Sequence, residues 1–317
     1  MTPSVPTSVP PTATRRARRS EFHPVRGLQI HVNRWTAPGD AAPDAARPLL
    51  VMVHGWMDVG ASFQFVVDAL QDTPWADAEV VAPDWRGFGL SDTPPTDTYW
   101  FPDYLGDLDA LLDRLSPDRP VDLVGHSMGG NVVMSYAGLR PGRIRRLINL
   151  EGFGLPRTAP EQAPKRMQQW LDELKTPMAI TAYDSPDAVA RRLMKNNPRL
   201  RADRAAWLAT HWARQGEDGR WHILGDPAHK RTNPVLYRVE EALATWRQIS
   251  APVLWIEGAE TNLDVWWGGR FTKAEFHERL AVVPQVQRHL LNECGHMLHH
   301  DQPEAVARLL ADFLVGA

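Results

Sequence analysis

The sequence predicts one α/β domain, in which a mostly parallel sheet is wound by crossover helices and interrupted by a helical insertion. From residue 21 onward, short apolar runs alternate with longer stretches of helical periodicity, which is typical of βα units. The alternation stops at residue 152 and resumes near residue 247. We therefore expect a core of residues 21–151 and 247–317. Residues 152–246 are expected to form a cap over the carboxyl ends of the strands, where such sheets bind ligands.

The core elements are predicted from apolar runs and from helical spacing. The first predicted strand is followed by a loop at residues 37–48 that is rich in Pro, Gly, Asp and Ala. The predicted strands are 28–35, 49–53, 79–83, 121–125, 147–150, 252–256 and 285–291, and the predicted core helices are 101–115, 128–139 and 303–314.

Composition restricts the class of protein. The chain has 317 residues, 43% of them hydrophobic, and its net charge of −3 gives no reason to expect nucleic acid as a partner. The single cysteine, Cys294, excludes an internal disulfide framework and favours a reducing, cytoplasmic location. We find no apolar run near the ~20 residues of a membrane span. We also find no cofactor fingerprint and no metal-ligand spacing, so neither a cofactor nor a metal is expected.

The first twenty residues differ from the rest of the chain. A segment rich in Pro, Ser and Thr ends in a basic run at residues 15–19, and the apolar stretch of an export signal does not follow. We expect residues 1–20 to form a disordered, solvated basic tail. The alternative is an arm that docks weakly by electrostatic attraction.

The segment Gly125-His126-Ser127-Met128-Gly129 lies between a predicted strand and a predicted helix, as a nucleophile elbow requires. Its turn is so tight that the residues two before and two after the serine must be small. The turn exposes the Ser127 hydroxyl above the sheet, and the positive end of the helix points at charge that develops on a substrate. Ser127 is therefore the predicted nucleophile, whereas His126 is expected to pack.

A second motif, His54-Gly55, ends the strand 49–53. Glycine lets the backbone turn there, so that the backbone N–H groups of Trp56 and Met128 can form an oxyanion hole, while His54 orients the loop. The glycine-containing segment 84–92 is expected to brace this loop. Within it, Arg86 is expected to pair with Asp58 or with Asp84.

In their order and spacing, His54-Gly55, segment 84–92 and segment 125–129 resemble the α/β-hydrolase superfamily. More narrowly, they resemble its capped esterase, C–C hydrolase and haloalkane dehalogenase branch, and residues 226–238 resemble the serine hydrolase-like group. The resemblance covers residues 22–151 and 250–317. It implies an α/β-hydrolase fold, with a mostly parallel eight-stranded sheet and an inserted, mainly helical cap.

The resemblance also implies the general base. Members of the family carry their catalytic histidine directly after a glycine in the loop before the last helix, and here that residue is His296. His299 and His300 are expected to pack. Asp301 and Glu304 are expected to cap the last helix, and Cys294 is expected to be a buried filler.

The acid that orients the base departs from the pattern of most relatives. They place an aspartate after the strand 252–256, where this chain has Thr261. The remaining acids are Glu151, Glu260 and Asp264. We favour Glu151, because it ends an apolar run and leaves the sheet beside the predicted nucleophile. One dehalogenase branch, and the luciferases similar to it, carry a glutamate at that strand end. Glu260 is the second choice.

These residues predict a hydrolase that cleaves an ester, thioester or related acyl bond through a Ser-His-Glu triad and an acyl-enzyme. Serine at position 127, where dehalogenases and epoxide hydrolases use aspartate, argues against those two activities. A lyase or cofactor-free oxygenase with His296 as base and a non-catalytic ligand-binding homologue remain alternatives. The expected partner is a small acyl substrate with an apolar or aromatic group, favoured by the tryptophans of the cap, Trp170, Trp207, Trp212 and Trp221.

Overall fold

An eight-stranded sheet forms the centre of the molecule in a computed structural model that describes residues 12–37 and 47–315. The strands of the described residues are β1 (Arg19–Val25), β2 (Leu28–Trp35), β3 (Leu50–Val53), β4 (Val80–Pro83), β5 (Val121–His126), β6 (Ile144–Leu150), β7 (Ala213–Gln215), β8 (Trp221–Ile223), β9 (Val253–Gly258) and β10 (Val286–Leu291). The spatial order in the large sheet is β1-β2-β4-β3-β5-β6-β9-β10, and β7 and β8 form a separate two-stranded sheet.

Helices follow most of these strands along the chain. They are α1 (Gln64–Leu70), α2 (Phe101–Leu115), α3 (Met128–Leu139), α4 (Ala163–Leu174), α5 (Pro186–Asn196), α6 (Ala202–Trp212), α7 (Val239–Trp246), α8 (Asp264–Trp267), α9 (Lys273–Leu280), α10 (Leu298–Asp301) and α11 (Pro303–Val315). Among the described residues, none of these helices is both long enough and apolar enough to cross a membrane.

The sheet is parallel from β4 to β10, and β1 and β2 extend it as antiparallel strands. Every residue of β3 is buried, and its side chains alternate between two apolar clusters. Val51 and Val53 belong to one cluster, and Leu50 and Met52 belong to the other. The sheet is therefore covered on both faces, as parallel sheets require. The predicted fold class, with eight strands wound by helices, is confirmed.

Residues 152–246 lie between β6 and β9 and contain helices α4 to α7 and the short β7–β8 hairpin. Helices α5 and α6 enclose a third apolar cluster, which includes Val189 and Leu208 and contacts Phe65 of α1. Trp207, Trp212 and Trp221 pack partly buried against this cluster. By contrast, α4 has no buried residue. The hairpin was not predicted from the sequence.

The prediction of a disordered tail is wrong for the part that the structure describes. Arg16 is only 3% exposed, and its guanidinium donates hydrogen bonds to the carbonyls of Thr36 (2.6 Å) and Ala78 (2.8 Å). Strand β1 then begins at Arg19, opposite Arg34 of β2. Arg16 packs because one nitrogen of its guanidinium donates to backbone carbonyls, whereas Arg15 of the same run pairs with Asp72 at the exposed surface. Residues 1–11 of the predicted tail, and residues 38–46 of the predicted loop, lie outside the described residues.

Candidate active site

Ser127 joins β5 to α3 in a strained turn, with φ 52° and ψ −115°. A Cβ at Gly125 would lie 2.4 Å from the carbonyl oxygen of Gly129, and one at Gly129 would lie 2.5 Å from that of Val53. Both positions therefore require glycine. The Ser127 amide donates a hydrogen bond to the Leu150 carbonyl at 2.8 Å, which ties the turn to the end of β6. Strain held by such contacts is typical of functional sites.

A chain of hydrogen bonds connects Ser127 with two side chains from distant parts of the sequence. The Oγ atom of Ser127 lies 2.9 Å from Nε2 of His296, and Nδ1 of His296 lies 3.1 Å from Oε2 of Glu151. His296 precedes α10, and Glu151 directly follows β6. Because β5 and β6 are parallel neighbours, Ser127 and Glu151 emerge at the same edge of the sheet.

Glu151 is held rigidly at this edge. Its side chain is buried, its φ is 61°, and its Oε1 accepts a hydrogen bond from the Gly258 amide at 2.6 Å. Burial raises the pKa of Glu151, although the Gly258 hydrogen bond opposes the rise. Burial has the opposite effect on His296 and lowers its pKa, because the imidazolium loses its solvation. Because the two groups are within hydrogen-bonding distance, the protonation state of one affects the pKa of the other.

The other two acids considered for this role lie elsewhere. Glu260 is about half exposed and forms an ion pair with Arg199. Asp264 accepts a hydrogen bond from the Gly269 amide at 3.1 Å. Thr261, at the position where most relatives have aspartate, is buried, and its side chain helps to lower the pKa of Glu151. Of the three acids, only Glu151 is brought to His296.

The loop after β3 closes over the serine. A Cβ at Gly55 would lie 3.0 Å from the Cβ of Ser127, so a larger residue here would press on the serine. His54 donates through Nδ1 to the Gly55 carbonyl (2.8 Å) and accepts through Nε2 from the Trp85 amide (3.0 Å). Across the described chain, the amides of Trp56 and Met128 donate to no other protein group. Both therefore keep a free N–H group, which the predicted oxyanion hole requires.

The predicted partner of Arg86 is wrong. Arg86 forms a two-pronged ion pair with Asp107 of α2, with both N–O distances at 2.5 Å, and a second ion pair with Asp103 at 3.2 Å. The two aspartates lie one helical turn apart and so present their charges together. Asp84 instead accepts hydrogen bonds from the Gly60 amide and from His31, both at 2.7 Å. Its charge is thus already satisfied within the core.

The predicted capping of the last helix is also wrong. Asp301 ends α10, and its carboxylate accepts hydrogen bonds from the Gly295 amide (3.0 Å) and from Asn197 (2.7 Å). Glu304 instead pairs with Arg204 of α6. The chain turns between α10 and α11, so Asp301 points back to the loop that carries His296.

The remaining residues of this loop are buried. Cys294 is fully buried, and burial raises the pKa of its thiol. The ring of His126 lies 4.9 Å from that of His296, and its Nε2 donates to the His296 carbonyl at 2.9 Å. His299 and His300 are buried beside Asp58 and form a second polar cluster next to the site.

The sequence did not predict a role for the side chains of two tryptophans near the site. Trp266 of α8 packs edge-on against His296, with ring centroids 4.5 Å apart, and is 43% exposed. The Trp56 side chain is 51% exposed and donates to the His229 carbonyl at 3.3 Å. His229 in turn stacks on Phe88 and Tyr99 and joins the insertion to the core. Adjacent tryptophans at 266 and 267 were the sequence feature that could have indicated this contact, but they belong to no recognised motif.

Comparison with known proteins identifies the family. Residues 48–303 match the alpha/beta hydrolase fold family, and the chain belongs to it. A serine hydrolase-like protein of Danio rerio is 26% identical, over 96% of this chain and 90% of its own length. A cis-3-alkyl-4-alkyloxetan-2-one decarboxylase of Shewanella oneidensis is 27% identical, over 84% of this chain and 81% of its own length.

A solved structure has the same fold as this chain. The thioesterase domain from the curacin biosynthetic pathway superposes with a TM-score of 0.79 at 24% identity and covers 93% of this chain and 99% of its own. The family match and the curated relatives, rather than this structure, confirm the prediction that the chain is an enzyme of the α/β-hydrolase superfamily.

Proposed function

We propose that this protein is a serine hydrolase that cleaves a carboxylic ester or thioester through an acyl-enzyme. The observation that carries the proposal is the chain of hydrogen bonds from Ser127 through His296 to Glu151, built on a strained turn at the start of α3. Nucleophile, base and orienting acid thus have the contacts that a triad needs.

The proposed reaction begins when Ser127 Oγ attacks the substrate carbonyl carbon and His296 Nε2 takes the serine proton. Glu151 stabilises the imidazolium that forms. The amides of Trp56 and Met128 stabilise the negative oxygen of the tetrahedral intermediate. His296 then returns the proton to the leaving oxygen or sulfur, and the bond to the leaving group breaks.

The second half of the reaction removes the acyl group. Water attacks the acyl-serine, His296 accepts a proton from that water, and collapse of the second intermediate releases a carboxylic acid and restores the serine hydroxyl. The exposed ring of Trp266, which packs edge-on against His296, supports an apolar or aromatic acyl group.

A panel of p-nitrophenyl esters and thioesters of graded acyl length tests the proposal. We expect a burst of p-nitrophenolate of about one equivalent per chain, followed by slower turnover, which is the kinetic sign of an accumulating acyl-enzyme. Ser127→Ala should remove both phases, whereas Ser135→Ala, a serine on the same helix, should retain them. Hydrolysis that survives Ser127→Ala would contradict the proposal.

A lyase is the second candidate, favoured by the relative named as an oxetan-2-one decarboxylase. An oxetan-2-one is a cyclic ester, so both reactions can begin from the same class of substrate. Hydrolysis would give a hydroxy acid, whereas decarboxylation would give an alkene and CO₂. Product analysis with a dialkyl oxetan-2-one therefore separates the two candidates, and we expect the hydroxy acid.

A further inference from the structure

A cluster of three buried side chains lies behind the proposed oxyanion loop. Asp58 and His300 are each 3% exposed, and His299 is fully buried. Each residue offers one potential ligand atom, and these atoms lie within 4.8 Å of one another. Asp58 comes from the loop after β3, and the two histidines come from α10. The cluster therefore joins two segments that also carry residues of the proposed active site.

The polar atoms of this cluster are unusually poorly satisfied. Within the described residues, Oδ2 of Asp58, both ring nitrogens of His299 and Nε2 of His300 are buried without a hydrogen-bond partner. A buried polar group that has no partner destabilises the folded protein, because it has lost its hydrogen bonds to water. Several such atoms at one place call for an explanation, and one explanation is that they bind an ion.

The geometry fits a metal ion better than a direct contact. Oδ2 of Asp58 lies 3.6 Å from Nε2 of His299, too far for a hydrogen bond. Two donors on a tetrahedral zinc ion at 2.0–2.1 Å would lie about 3.3 Å apart. A histidine binds such an ion through the lone pair of one ring nitrogen, and both ring nitrogens of His299 and Nε2 of His300 are without another partner in the described part of the chain.

We propose that Asp58, His299 and His300 form a binding site for one divalent transition-metal ion of the zinc type. One carboxylate and two neutral imidazoles are ligands that such ions accept, with a fourth position left for water. Oδ1 of Asp58 is already fixed by the Ser62 hydroxyl and by the Val59 amide at 2.8 Å, so Oδ2 remains for the metal. This proposal does not depend on the hydrolase proposal.

The ion would link the loop after β3 to α10. The His299 ring lies 4.3 Å from that of His126, which hydrogen-bonds to the backbone of His296. The rings of Phe63 and Phe65 flank His299 and His300 at 5.3 and 6.3 Å. Because the cluster is closed off from solvent, we expect the ion to enter as the chain folds.

The experiment refolds the full chain from denaturant with Zn²⁺ or Co²⁺, removes loosely held ions by gel filtration and measures bound metal by mass spectrometry. We expect one ion per chain and a visible Co²⁺ spectrum of nitrogen and oxygen ligation. A thiolate-to-cobalt band would place the ion on Cys294, the only cysteine, and would overturn the proposal.

Four variants locate the ion. Asp58→Asn and His300→Gln keep side-chain size, and each should weaken Co²⁺ binding at least ~100-fold, because loss of an outer hydrogen-bond partner alone costs ~10–100-fold. His222→Gln removes an exposed histidine that pairs with Asp218, and His296→Ala removes the histidine beside Ser127. Both should bind one ion as the native chain does.

Circular dichroism in the absence of metal checks that each variant is folded. Less than stoichiometric metal in the native chain would overturn the proposal. So would binding that survives in folded Asp58→Asn and His300→Gln, or binding that is lost in His222→Gln or His296→Ala.

Discussion

The carboxyl edge of the sheet and the insertion of residues 152–246 hold their side chains in different ways. At the sheet edge, Ser127 and Glu151 have positive φ angles and are fixed by backbone hydrogen bonds to neighbouring strands. In the insertion, α4 buries no residue and exposes Met167 and Leu171. Changes at the edge should therefore affect the chemical step, whereas substitutions on the exposed face of α4 should be tolerated.

The largest effect is expected from Ser127→Ala. Loss of the nucleophile should lower kcat by about 10⁶-fold, because the remaining site cannot form an acyl-enzyme. The melting temperature should stay close to that of the native protein, since the hydroxyl contributes little packing. His296→Ala should be as severe. Steady-state kinetics measure kcat and thermal melts measure the melting temperature of both variants, with Ser135→Ala as control. A kcat within tenfold of native in either variant would contradict the account.

Glu151→Gln is expected to lower kcat by about 10⁴-fold. Glutamine keeps the size of the side chain and can still accept from the Gly258 amide, but it cannot stabilise the imidazolium. Without the carboxylate, the pKa of His296 falls further, so the acid limb of the kcat/KM profile should move to lower pH. Glu260→Gln is the matched control and should have native kinetics, because Glu260 pairs with Arg199 at the surface. A large loss of kcat in Glu260→Gln, with native kinetics in Glu151→Gln, would identify Glu260 as the acid that orients His296.

A smaller effect, on stability, is expected from Arg16→Ala. Loss of a buried guanidinium that donates to backbone carbonyls should lower the free energy of unfolding by about 2–3 kcal/mol. Arg15→Ala is the control, because Arg15 pairs with Asp72 at the exposed surface, where ion pairs contribute little. Denaturant unfolding of both variants measures the difference. Equal stabilities of the two variants would show that the buried contacts of Arg16 do not stabilise the fold.

The smallest effect is expected from Trp266→Ala. The ring contributes an edge contact to His296 and an apolar surface beside it, so kcat/KM for esters with apolar acyl groups should fall by about 3–10-fold. Trp100→Ala, with similar exposure at the start of α2, should leave it unchanged. An equal loss of kcat/KM in both variants would show that Trp266 does not contact the substrate.

Much of the fold could be predicted from local patterns. Strand β3 is a short apolar run that ends at His54-Gly55, and the elbow 125–129 imposes its own turn, so motif and structure agree there. Strand β1 was missed because Arg19–Val25 contains charges and a proline, and because it gains its strand structure from pairing with β2.

Contacts between distant segments were harder to predict. The ion pair of Arg86 with Asp107 depends on how α2 packs over the loop after β4, which no local pattern reveals. The meeting of Asp58 with His299 and His300 depends likewise on how the loop after β3 packs against α10. Glu151 could be anticipated, because parallel β5 and β6 must bring Ser127 and the end of β6 to one edge.

Mapping the reactive serine tests the proposed roles of Ser127 and His296 directly. The native protein is treated with a fluorophosphonate probe, digested and mapped by mass spectrometry, beside His296→Ala and His222→Ala. We expect one adduct, on the peptide that contains Ser127, with labelling largely lost in His296→Ala and retained in His222→Ala. An adduct on another serine, or native labelling in His296→Ala, would contradict the proposed roles of Ser127 and His296.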